Sequence, residues 1–259
     1  MLSLSVASLY PYINHYFWPF LRVLAVFSSA PIFNEKEISN KTKVVLALLL
    51  TLLIAPTLPE TQVTILSMAG LWTGLQQLLI GVAMGLTVQF IFIAVRHAGE
   101  LIGLQMGLSF ATFYDHSGGQ NMPVISRIMN LLVTLLFLYF NGHLLLIDAL
   151  AVSFEAIPIQ MQPVRAEGFM ALIQASGVIF RSGMMLALPI VALLLCLNLL
   201  MGILNRLTPQ LSIFVVGFPL SLSIGMVALS LIMYSLAPFL ERLIESIFYS
   251  LSLVLSGFT

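Results

Sequence analysis

Six stretches of this chain contain no Asp, Glu, Lys or Arg: residues 1–21, 44–59, 61–95, 128–147, 182–205 and 207–240. Apolar runs of about 18 or more residues read as membrane-spanning helices, because a hydrocarbon core about 30 Å thick is crossed at about 1.5 Å per helical residue. In lipid every backbone amide and carbonyl must be satisfied within its own segment, so the runs are predicted to be helical. Strands of an outer-membrane barrel would alternate polar and apolar residues, and these runs do not. The expected fold class is all-α, an integral membrane protein of long, kinked helices. Composition agrees: of 259 residues 60% are hydrophobic and 8% charged, with a mean hydropathy of +1.07, where a soluble domain has about 25% charged residues.

The same scarcity of charge excludes whole classes of function. Ten Lys and Arg balance ten Asp and Glu, a net charge of zero, which argues against a nucleic-acid partner, since that demands clustered positive charge. Cys196 is the only cysteine, so neither an internal disulfide nor a cysteine-based zinc motif is expected. His15, His97, His116 and His143 are scattered without ligand spacing, and Asp148 is a lone carboxylate where an aspartyl dyad needs two. No zinc-protease, nucleophile-elbow or phosphate-loop motif is present. The reading is a protein with no catalytic residue, no metal and no cofactor.

Residues 1–33 lack a basic leader, and Tyr12, Trp18 and Pro19 precede the first charge, Arg22. They are predicted to form a retained first helix, interrupted or kinked near Pro19, rather than a removable signal. Lys36, Lys41 and Lys43 form the densest basic cluster and place residues 34–43 on the cytoplasmic side. Alternation from there puts 57–61 outside, 96–127 inside, 148–168 outside and the turn at 205–209 inside. Runs 61–95 and 207–240 would each reach about 50 Å as straight helices. They must tilt, break (at Gly217-Phe218-Pro219 or Pro238) or stand partly outside the lipid against other protein.

Glycines recur at helical spacing. Gly70, Gly74, Gly81 and Gly85 return to nearly one helix face, and Gly99, Gly103 and Gly107 form a triple. Such faces let helix backbones approach closely in lipid, either within the chain or at a seam between subunits. Spacing does not choose between the two.

Residues 96–127 depart from plain membrane filler. Arg96 and Glu100, four apart, can pair on one helix face as a structural ion pair; a proton relay would need a second buried carboxylate nearby, which is absent. Met106, Phe110, Phe113 and Tyr114 follow, among small hydroxyl residues. They run into a polar turn containing Asp115, Gly118, Gly119 and Asn121, before Pro123 opens the next helix. On composition this is either a re-entrant loop with no special task or a constriction, since Met and Phe side chains can close a pore without charge.

Several segments, occurring in order along essentially the whole chain, resemble the FliR family of flagellar export-gate proteins. They are Ala30-Pro31-Ile32 with the basic Lys41–Lys43 stretch, Arg96–Pro123 with its core Gly99-Glu100-Leu101-Ile102-Gly103-Leu104-Gln105-Met106-Gly107-Leu108-Ser109-Phe110, Asn141-Gly142-His143, and Leu204-Asn205-Arg206-Leu207-Thr208-Pro209-Gln210-Leu211-Ser212-Ile213-Phe214. The resemblance implies a core subunit of the type III export apparatus in the bacterial inner membrane, at the flagellar basal body. There a single copy would join several FliP- and FliQ-type subunits, with FlhB- and FlhA-type proteins close by and unfolded proteins as cargo in transit. It implies a FliP-like part over residues 1–181 and a FliQ-like helical hairpin over 182–259 with its tip at about 205–210. It also implies a plug over 106–122, with Met106, Phe110, Phe113 and Tyr114 closing the channel and Asp115, Gly118, Gly119 and Asn121 in its turn. His116 stands where the family often has proline. An injectisome subunit is the alternative, then a small-solute transporter or a purely structural scaffold. The close likeness of residues 105–123 favours the flagellar branch.

Overall fold

The computed structural model of the chain describes residues 6–33, 38–59, 63–108, 123–160, 163–208 and 213–259, and among them every regular element is a helix. In chain order these are α1 (Val6–Ser29), α2 (Asn40–Ile54, followed by a short 3-10 turn, Ala55–Thr57), α3 (Met68–Gln105), α4 (Val124–Tyr139), α5 (Gly142–Ala156), α6 (Ala166–Leu207) and α7 (Ile213–Phe258).

Local chemistry sets the helix ends. The Ser39 hydroxyl accepts from the Thr42 amide at 3.2 Å and caps α2; the Ser67 hydroxyl accepts from the Gly70 amide at 2.9 Å and does the same for α3. Pro123 precedes α4, where its missing N–H costs nothing. Among the described residues four helices are long and apolar enough to cross a membrane: Asn40–Thr57, Met68–Gln105, Ala166–Leu207 and Val216–Phe258. The pair α4 and α5 makes a fifth if counted as one broken span.

Three expectations change here. The run 128–147 is not one helix: Asn141 sits at φ 56°, in the left-handed region that Asn tolerates better than most residues, and the chain bends by 63° between α4 and α5. Conversely, of the alternatives left open for run 207–240, breakage drops out: α7 passes Gly217-Phe218-Pro219 and Pro238 unbroken, as α6 passes Pro189. Each proline forfeits one backbone bond while the helix continues on both sides. Helix α1 runs through Pro11 and Pro19 but is not among the four spans, being loaded with Asn14, His15 and Arg22.

The chain packs as two compact units. The first comprises Met1–Gln89, Asn141–Ser176 and Ser246–Thr259. It buries Trp18, Val26 and Phe27 of α1, Ile80 and Met84 of α3, and Leu146, Leu150 and Phe154 of α5. The start of α6 and the end of α7 meet there backbone to backbone, because a Cβ on Gly257 would lie 2.8 Å from the Gly168 Cα. The second unit comprises Phe90–Phe140 and Gly177–Glu245. It buries Ile91, Val95 and Ile102 of α3, Met129 and Phe137 of α4, and Leu194 of α6, with the Phe92 and Phe137 rings edge to face at 5.3 Å. Within it Ser221 Oγ donates to Asn198 Oδ1 at 3.5 Å, from near the start of α7 to near the end of α6, the register of an antiparallel hairpin.

Candidate functional site

The glycines of α3 mark its closest approaches. In the first unit Gly81 leaves room for the Arg22 carbonyl and the Ala25 side chain, which a Cβ would meet at 2.5 and 2.6 Å. Gly85 does the same for Ser29 and for the Ala30 amide, 2.9 Å from a Cβ, and Gly74 lies at ordinary contact distance from Trp18. Gly70 instead faces the Ile65 carbonyl at 2.6 Å, on the approach to α3. In the second unit Gly99 and Gly103 face α4 and the residue before it: a Cβ on each would lie 2.6 Å from the Ser126 Cα and 2.8 Å from the Pro123 Cβ, respectively.

Gly107 does something other than pack. It lies beyond the last residue of α3 at φ +80°; its amide reaches the Leu104 carbonyl at 3.1 Å and the Leu108 amide reaches the Gly103 carbonyl at 3.0 Å. That pair of bonds is a Schellman motif, in which a glycine in the left-handed region ends the helix. So Gly107, grouped by spacing with the packing glycines, is the residue that stops α3.

Met106, one position earlier, packs within its own unit. Expected among the pore-closing side chains, it has no exposed surface. It lies over Gly225 of α7, whose Cβ would meet Met106 Cγ at 2.7 Å, while Phe218 of α7 covers Gly107 at 3.1 Å from the corresponding position. The stretch entered at Leu108 and left at Pro123 therefore has both ends held at one end of α3, through Met106–Gly225 and Gly103–Pro123. Phe110, Phe113, Tyr114, Asp115, Gly118, Gly119 and Asn121 lie outside the described residues.

On α3 the residue beside Glu100 is not the one that spacing offered. Glu100 lies 3.8 Å from His97 Nδ1, three residues back, and not against Arg96. Positions i+3 and i+4 share a helix face, and His97, whose ring also meets Phe180 edge to face at 5.7 Å, is the one turned toward the carboxylate.

Arg22 is what sequence reasoning missed. It is wholly buried. Its Nε donates to Gln77 Oε1 at 2.8 Å, its Nη1 to the Ser153 carbonyl and hydroxyl at 2.7 and 3.1 Å, and its Nη2 to the Ile157 carbonyl at 2.8 Å. The guanidinium also stacks 4.3 Å from the centre of the Phe154 ring. One side chain thus joins α1 to α3 and α5. The available signal was a single charge in an otherwise neutral, aromatic-rich stretch, which in a membrane protein argues for an inward-facing role.

With this geometry in place, comparison with known proteins is specific. Residues 13–247 match the family described as bacterial export proteins, family 1. Flagellar biosynthetic protein FliR of Pectobacterium carotovorum is 51% identical over 256 residues, covering 99% of this chain and 98% of that protein. Its counterpart in Escherichia coli K12 is 50% identical over 256 residues with the same coverage. The FliR protein of Bacillus subtilis is 29% identical over 213 residues, 81% of this chain and 82% of the relative. The chain accordingly belongs to the FliR family of bacterial export proteins.

Proposed function

We propose that this protein is a membrane subunit of the flagellar export apparatus that helps to form, and to close, the channel through which unfolded flagellar proteins cross the bacterial inner membrane. The observation that carries this reading is the end-to-end likeness to flagellar biosynthetic proteins at 50–51% identity, which also favours the flagellar branch over an injectisome. The role is one of conduit and seal, with no covalent chemistry of its own. Partners are FliP- and FliQ-type subunits, with FlhB- and FlhA-type proteins alongside. Residues 1–181 take the FliP-like part in that assembly and residues 182–259 the FliQ-like hairpin.

Closure falls to residues between Leu108 and Pro123, with Phe110, Phe113 and Tyr114 as the apolar stoppers and the turn at Asp115–Asn121 yielding to cargo. Apolar bulk excludes ions by leaving no polar surface for their hydration shells. The test is the pair Phe110→Ala with Phe113→Ala in the assembled complex, reconstituted in planar bilayers. Ion conductance rises in the absence of cargo while assembly is preserved; conductance that stays at background would remove these residues from the seal.

A further inference from the structure

We infer that the groove between α1 and α2 holds one acyl chain of an anionic phospholipid whose headgroup rests at Lys41 and Lys43. This goes beyond the channel-closing role and does not depend on it. Tyr12, Tyr16 and Phe20 of α1 form one wall and Leu48 and Leu52 of α2 the other, around a cavity of about 350 Å³. Almost nothing polar is presented to an occupant: Thr51, also in the wall, spends its hydroxyl on the Ala47 carbonyl at 2.7 Å.

Helix α2 touches the rest of its unit through a thin stripe, Ala47 and Thr51, the only residues it buries. Its other side chains beyond Lys43 are almost all apolar and uncharged, and Leu48 and Leu52 are each 49% exposed. Such a surface requires an apolar occupant. Charge and length select which one. Lys41, at the start of α2, is exposed to the surroundings, with Lys43 two residues on. Leu48 and Leu52 follow Lys41 by about 10 and about 16 Å along the helix axis, which matches the depth from headgroup to chain end in one leaflet of a core about 30 Å thick. The basic cluster marks the cytoplasmic leaflet, where anionic headgroups gather and attract lysines next to the membrane.

The test places the photoreactive residue p-benzoylphenylalanine at position 48 of the full chain, in cells producing the whole export assembly, and identifies the adduct by mass after irradiation. Position 53 serves as the control, because Leu53 is 72% exposed on the same helix but outside the groove wall. The adduct at 48 is a phospholipid, enriched at least about fivefold in anionic headgroups over the adduct at 53. That enrichment disappears in Lys41→Gln, Lys43→Gln. A protein adduct at 48 overturns the inference, and so does a headgroup mixture equal at 48 and 53 or unchanged in the double variant.

Discussion

Arg22 makes four hydrogen bonds, all to neutral oxygens, from a position with no exposed surface. Its replacement separates geometry from charge. In Arg22→Met the Ser153 carbonyl still accepts from the Ile157 amide at 2.9 Å, and the Ser153 hydroxyl still donates to the Leu150 carbonyl at 2.7 Å. Gln77 Oε1 and the Ile157 carbonyl lose their donor, at about 1–3 kcal/mol each where no water replaces it. Arg22→Lys keeps the buried charge but replaces a planar fork by a point charge that cannot reach α3 and α5 at once. The thermal midpoint of the purified chain therefore falls for both variants, and further for Lys than for Met; a Lys variant as stable as the parent would show that charge alone matters there. A second residue-scale test concerns Gly225. A Cβ there meets Met106 at Cγ, near the root of the side chain, so rotating its far end brings no relief. Gly225→Val overpacks the contact by about 1–3 kcal/mol, and Met106→Ala in the same chain recovers most of that loss in a denaturation experiment. Arg22 was half legible, as a lone charge in a neutral stretch, but its partners were not, and the Met106 contact was hidden because its partner glycine lies on a different helix.

At the scale of elements the sequence was more open. Charge-free runs located α2, α3, α6 and α7 because the bilayer's thickness and the need to satisfy every backbone group leave few alternatives. What it hid were interruptions. Asn141 bends the chain between two apolar stretches of unchanged composition, while the two prolines of α7 that looked like break points, Pro219 and Pro238, are passed without one. The glycine faces were visible as spacing, but what each glycine faces was not. Gly81 and Gly85 lie against the backbone of α1, whereas a Cβ on Gly177 or Gly202 of α6 would meet nothing within 4 Å. The two sets should respond oppositely to alanine. Gly81→Ala pushes α1 off α3 and lowers stability. Gly177→Ala and Gly202→Ala raise helix propensity by about 1 kcal/mol each and stabilise the isolated chain. If Gly202→Ala stabilises the chain yet weakens assembly in a co-purification assay, the open face of α6 is one that another helix approaches.

The molecule as a whole carries more apolar helix than a bilayer can cover. Helix α6, with 42 residues, extends about 63 Å, and α7, with 46, about 69 Å, each about twice the hydrocarbon thickness. Only 22% of the most apolar window in either helix is buried within the chain, against 67% for α3. Leu199, Leu200, Ile203, Leu204 and Leu207 crowd the end of α6 as exposed side chains. Tilting cannot bring so long a helix wholly into lipid, and so large an apolar surface is not left to water. The proposed place in a gate of several subunits supplies other protein to take up the excess. Expressed alone, the chain should leave the membrane in detergent as a mixture of self-associated species. Expressed with the other gate subunits it should leave the membrane in a single assembly of defined native mass, and the amides of residues 199–207 should exchange more slowly there than in the isolated chain. A monodisperse, long-lived monomer whose α6 exchanges alike in both settings would mean that lipid by itself satisfies these helices, and that the protein is no gate subunit.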